Sequence, residues 1–212
     1  MTTTSITKEQ NDRLLYRPPT TPVLVDVPPY DILAVDGVGD PNGPSFQQAM
    51  PVLYSIIYPV VITLRRSGRS DVKVWPLEAL WWADDYAVFK PETIDREAWR
   101  WTALLRLPED VPDEVMAMAR SKAEAKLGAR AAQGARVDVL DEGRCAQVMH
   151  RGPFSDEGAT ITALHAFIAE QGLALSGRHH EIYLSDPRRC APAKMRTVLR
   201  QPVSSNRFPP AS

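Results

Sequence analysis

The chain has 212 residues, 44% of them hydrophobic, and its 25 Lys+Arg against 26 Asp+Glu leave a formal net charge of -1. That is enough apolar material for one large domain or two small packed modules, and it excludes disorder except at the ends. The charge balance argues against general affinity for a nucleic-acid backbone, which needs clustered, unopposed cations.

Residues 1–20 are polar, end in Pro18-Pro19, and read as an N-terminal arm. They lack the apolar core of a signal peptide, so a cytoplasmic protein is the default expectation. A first strand spans Asp31 to Asp36 and stops in the turn-rich stretch from Gly37 to Pro44. A helix follows from about Phe46 to Arg66, with Phe46, Ala49, Met50, Leu53, Ile57, Val60, Val61 and Leu64 at helical spacing. Pro59 inside it should kink or break it. A second strand is expected around Val72 to Trp82 and a third around Trp99 to Leu107. Residues 109–135 form a linker with a helix from about Pro112 to Leu127, rich in Ala, Met, Glu and Lys. The pattern restarts at Arg136. A strand runs from Cys145 to His150, and a helix from about Asp156 to Gln171 ends at the natural cap Gly172. Strands from His180 to Ser185 and from Met195 to Arg200 close this unit, and residues 204–212 read as a tail.

Strand, helix, strand, strand thus occurs twice, over about residues 21–108 and 136–203. The order predicts an α+β fold: a tandem pseudo-twofold repeat of this module around a central ligand cleft.

Two glutamates stand out. Glu78 lies among apolar and aromatic residues from Trp75 to Trp82, and Glu181 lies between His179 and Ser185. Each belongs to the second strand of its unit, so a twofold arrangement would set them facing each other. Burying a carboxylate costs several kcal/mol unless it is paired or hydrogen-bonded. The pattern is equally compatible with either acid pointing to solvent. All five tryptophans, Trp75, Trp81, Trp82, Trp99 and Trp101, fall on the second and third strands of the first unit. Trp81 and Trp82 are adjacent, so only one can point inward. Tyr54 and Tyr58 are four apart on one helix face, and Tyr183 shares the strand face of Glu181. Flat rings beside acids suit a planar or cationic ligand, although any one ring fits a core position as well.

No metal site is expected. The four histidines His150, His165, His179 and His180 show no ligand motif, and His179 and His180 would face opposite ways on a strand. Cys145 and Cys190 form no disulfide framework and read as ordinary thiols. No apolar run reaches transmembrane length without interruption, so no membrane partner is expected.

The segments VDGVGDPN (35–42), VWPLEALWW (74–82), WRWTALLRLP (99–108), HRGPFSDE (150–157), HHEIYLSDPRR (179–189) and KMRTVLRQPV (194–203) resemble the gyrase-inhibitor-like (GyrI-like) small-molecule-binding superfamily. The similarity covers nearly the whole chain from about residue 8 and is closest to the stand-alone branch. It implies two strand–helix–strand–strand modules around a cleft, with Glu181 at the position where related effector-binding domains meet cationic drugs. That branch includes cyclopropanoid cyclopropyl hydrolases, which open the cyclopropane of DNA-alkylating natural products of the yatakemycin and duocarmycin type. The resemblance implies Glu181, Glu78 and Tyr183 as catalytic groups and Trp101, Tyr54, Tyr58, Trp82 and His150 as substrate-binding groups, with no cofactor. Ala79 departs from the Gly expected in PLEALWW. The partner implied is a planar aromatic small molecule. Drug sequestration without chemistry and inhibition of gyrase by direct contact are the competing functions, gyrase being the less favoured partner.

Overall fold

A computed structural model describes residues 8–85, 93–129 and 133–205. In chain order the elements are α1 (Lys8–Tyr16), β1 (Val23–Val27), β2 (Tyr30–Val38), α2 (Pro44–Arg66), β3 (Leu77–Trp82), β4 (Arg100–Arg106), α3 (Asp113–Leu127), β5 (Arg136–Leu140), β6 (Gly143–Arg151), α4 (Glu157–Glu170), β7 (Leu173–Leu175), β8 (His179–Tyr183) and β9 (Arg196–Ser205). They divide into two compact units. One is the contiguous stretch 29–141, and the other joins the described residues up to 28 with those from 142 onward.

In the contiguous unit the strands pair antiparallel in the order β3-β4-β2-β5. Ala79, Ala103 and Val35 share a register row, as do Glu78, Leu104 and Ala34. Because side chains alternate along a strand, these rows lie on opposite faces. Helix α2 covers the face of Ala79, Trp81 and Trp101: Phe46 meets Trp81 at 5.3 Å and Trp101 edge-on at 5.0 Å. Its buried stripe is Ala49, Val52, Leu53, Ile56, Ile57, Val60, Val61 and Leu64.

The expected break at Pro59 does not occur; α2 runs unbroken through Pro51 and Pro59. An interior proline costs about 3 kcal/mol, while burial of each large apolar side chain contributes roughly 1.5–3 kcal/mol. The long apolar stripe therefore outweighs both prolines. Both also sit off that stripe, Pro51 exposed and Pro59 half-buried, and the carbonyls they leave unbonded belong to Gln47, exposed, and Ser55, half-buried.

Helix α3 packs on α2 through the buried pair Ala119 and Ala123, one turn apart. Strand β5, expected to open the second repeat, instead pairs with β2 and completes this unit. The second strand is also shorter than expected: residues 72–76 are irregular, and Trp75 and Trp99 flank strands rather than lie in them.

In the other unit the order is β1-β6-β9-β8, all antiparallel, and the short strand β7, not anticipated from the sequence, also pairs with β9. Helix α4 lies on the face of Ala146, Val148 and Leu199, closing a core with Leu164, Ile168 and Val203. The opposite face carries a buried charged network. The Glu142 carboxylate accepts from His180 Nδ1 and from Arg200 Nη1, each at 3.0 Å. Burial alone would raise this carboxyl, but His180 and then Arg200 hold it down at about 2.

The same network corrects the expectation of a loose N-terminal arm over residues 1–20. Residues 8–16 are helical, Leu15 and Tyr16 are buried, and Arg200 Nη2 and Gln147 Nε2 donate to the carbonyls of Leu15 and Leu14. Two terminal carbonyls that the helix itself cannot bond are thereby satisfied.

Candidate functional site

Glu78 is fully buried on β3, where the Tyr30 hydroxyl donates to its Oε2 at 3.0 Å. Beside it the Arg106 guanidinium lies over the rings of Tyr30 and Trp75, at 4.9 and 4.6 Å. This cluster sits on the sheet face opposite α2. Glu181 differs. Its register row on β8 is that of Leu199 and Val148, the face that α4 covers. The two acids therefore do not occupy equivalent positions of a repeat: each faces a different way relative to its own unit's helix.

The tryptophan on the helix side of β4 is Trp101. It is 1% exposed and packed against Phe46 and the bare backbone of Gly37, where a Cβ would come within 2.1 Å of its ring. Its Nε1 has no hydrogen-bond partner among the described residues. Trp81 is buried on this face and Trp82 is half-buried on the other, as adjacency on a strand requires. Tyr54 and Tyr58 stack at 5.6 Å, with Tyr58 about half exposed.

Around Glu181 the α4-covered face is unusually polar. The Tyr183 hydroxyl donates to Glu181 Oε2 at 2.8 Å, and Phe154 meets the Tyr183 ring edge-on at 5.5 Å. His179 Nε2 lies 3.8 Å from Glu181 Oε1, too long for a hydrogen bond. Burial, followed by the neighbouring charges of His165 and His180, lowers His179 to about 4, so its ring is neutral at pH 7. His150 is committed to structure. Its Nε2 donates to the carbonyl of Pro153 at 3.2 Å, which leaves Nδ1 to accept from the Thr160 hydroxyl at 2.9 Å. It fastens β6 to the start of α4 and has no ring nitrogen left for a ligand.

The residue missed in the sequence is Glu157, 5% exposed on the first turn of α4. Burial first, and then the charge of Glu181, push its carboxyl up to about 9. Thr197 pulls the other way, although its hydroxyl lacks hydrogen-bonding geometry to any described group. Glu157 therefore stands as a neutral acid beside a carboxylate. Its Oε1, the Thr197 hydroxyl and the ring nitrogens His165 Nε2 and His179 Nε2 are all buried without a hydrogen-bond partner among the described residues. Glu157 falls in step with Ile161, Leu164 and Ile168, the apolar stripe of α4; an acid in that stripe was the available signal.

Such an arrangement can take a proton at one carboxyl and release one from the other. No cluster of three or more His, Cys, Asp or Glu placed to hold a metal ion occurs among the described residues. Helix α2 alone there is long and apolar enough to cross a membrane, and its apolar stripe is the core stripe described above.

Residues 108–203 match the family model of the GyrI-like small molecule binding domain. An uncharacterized conserved protein from Listeria innocua is 39% identical, with a TM-score of 0.83, over 92% of this chain and 98% of that one. A hydrolase from Listeria innocua is 37% identical, with a TM-score of 0.78, over the same shares. The C-terminal domain of EcmrR, at 11% identity and a TM-score of 0.59 over 88% of this chain and 98% of that one, shares the fold alone. No curated protein matches the chain.

Proposed function

Since the chain belongs to the family of these Listeria innocua proteins and carries a GyrI-like small-molecule-binding domain, we propose that it is a hydrolase whose site lies under α4. The observation that carries this reading is the Glu181 carboxylate, oriented by Tyr183 and set beside buried polar atoms that no described residue satisfies. Buried polar groups are almost always paired, so orphaned ones clustered at a carboxylate mark a place for water or a ligand.

The substrate proposed is a planar, DNA-alkylating cyclopropanoid of the duocarmycin type, met in the cytoplasm. Water attacks the exposed cyclopropyl carbon, Glu181 takes a proton from it, and charge develops on the dienone oxygen. Glu181 is the base and Tyr183 holds it in place. Phe154, beside Tyr183, is the candidate to hold the flat substrate. The other rings expected to bind substrate, Tyr54, Tyr58, Trp82 and Trp101, belong to the contiguous unit, where Tyr54 stacks on Tyr58 and Trp101 packs on Phe46. Glu78, bonded to Tyr30 on the face away from α2, serves as a structural acid in place of the catalytic partner expected from the sequence. A duplicated ancestry of the two stretches belongs to this proposal as well; a strand, a helix and a closing antiparallel strand pair occur in both, with β7 inserted in the second.

The test is incubation of the protein with a duocarmycin-type compound and detection of the water adduct by mass spectrometry. Glu181→Gln should lower turnover by about 10²–10⁴-fold. Unchanged turnover in that variant would sink the mechanism. The small-molecule-binding family favours one alternative, stoichiometric sequestration, in which the drug is recovered intact.

A further inference from the structure

We propose that Glu157 enters the site as a neutral carboxylic acid and gives its proton to an acceptor oxygen of the bound molecule, making it the acid that complements Glu181. The inference rests on the hydrolase reading for the identity of that oxygen, the dienone carbonyl, but not for the existence of the acid.

The geometry makes the case. Glu157 is 5% exposed, yet among the described residues no cation or backbone amide lowers its carboxyl, and its Oε1 is unpartnered there. Thr197, fully buried on β9, presents a second unpartnered hydroxyl beside it. A buried carboxyl that serves only packing is normally supplied with partners by its own fold. Here the fold leaves two neighbouring groups open. The groups acting on Glu157 are Glu181 from β8 and Thr197 from β9; Tyr183 and His179 of β8 flank Glu181 in turn. His150 on β6 is directly opposite Thr197, and His165 lies on α4 itself. Of these, Glu181 carries the negative charge and His179 is neutral at pH 7, so no cation ionises Glu157.

The proton balance closes. A bond forms between the water oxygen and the cyclopropyl carbon as a cyclopropane C–C bond breaks. Its electron pair moves through the ring to the dienone oxygen, which takes the proton of Glu157. Glu181 takes one proton of the water and later returns it to Glu157. The sum is substrate plus water, with both carboxyls restored and no other reactant consumed.

The experiment pairs a spectroscopic arm with a kinetic one. Infrared spectra of wild type, Glu157→Gln and Glu157→Asp at neutral pH should show a neutral-carboxyl C=O stretch in wild type. The band should vanish above about pH 9 and be absent in Glu157→Gln. With a duocarmycin-type probe, Glu157→Gln should lower kcat by about 10²–10⁴-fold with little change in KM. The fall in rate on the alkaline side of the wild-type pH profile should disappear in the variant, and Glu157→Asp should rescue part of kcat. A band that survives in Glu157→Gln, or kcat and an alkaline limb unchanged in that variant, overturns the proposal. If wild type leaves the probe intact, the hydrolase reading fails on its own. The acid is then judged by whether a bound probe shifts the Glu157 band: a shift supports it, and an unmoved band refutes it.

Discussion

Replacing Glu157 by Gln should stabilise the protein at neutral pH while disabling it. In the unfolded chain this carboxyl ionises near 4.5, and in the folded protein near 9, because burial and Glu181 oppose its charge. The native state therefore binds a proton that the unfolded state gives up between these values. Stability is fully present below about pH 4.5 and declines as pH rises toward 9. At pH 7 the interval already crossed is some 2.5 units; at about 1.4 kcal/mol per unit, folding forgoes on the order of 3 kcal/mol. Glutamine keeps the shape and has no charge to suppress. Glu157→Gln should thus match wild type near pH 4 and exceed it by up to about 3 kcal/mol at pH 7, which is roughly 6–12 °C in Tm for a chain of this size. Urea melts of both proteins at pH 4, 7 and 8.5 measure the difference. A stability gap that does not widen with pH would mean that Glu157 is ionised in the native state, and the reasoning would fail.

Other substitutions probe the supporting structure. Glu142→Gln leaves Arg200 and His180 buried without their anion and should cost about 3–5 kcal/mol in urea melts at pH 7. Because its carboxyl is held down near 2, the contribution of Glu142 is complete above about pH 4.5 and lost as pH falls through 2, so wild type and variant should converge in acid. Gly37→Ala drives a methyl into the Trp101 ring and should destabilise by about 1–3 kcal/mol or more, with a change in near-UV circular dichroism. Tyr30→Phe and Glu78→Gln should each lower stability by about 1–3 kcal/mol and leave kcat within a few-fold, measured with the same duocarmycin-type probe.

The element order was readable because periodicity reports which face is buried. The apolar spacing of α2 located that helix to within two residues of its start, and alternation correctly separated Trp81 from Trp82 and His179 from His180. Alternation also set Tyr183 with Glu181, and the hydroxyl–carboxylate bond follows from it. What the pattern could not supply is which face of a strand its own helix covers. Glu78 and Glu181 therefore looked equivalent, although one lies under its helix and the other faces away. Strand β5 was assigned to the wrong unit because pairing partners are set by tertiary packing, and Val137 to Leu140 reads alike beside β2 or β6. Glu157 is not legible locally, because an acid on a helix's first turn is ordinarily a solvated partner of the helix dipole. Only its place in the buried stripe of α4 betrays it.

The clasp between Arg200 and the carbonyl of Leu15 spans 185 residues of sequence. A ribosome adding about 5–20 residues per second makes Leu15 roughly 10–40 s before Arg200 exists to hold it. The stretch 29–141 has every strand partner and core residue of its unit in hand by then, so it can finish folding while α1 waits with Leu15 and Tyr16 uncovered. Helix α1 is thus made early but secured late. Over that interval the nascent chain is open to proteases and chaperones at this helix.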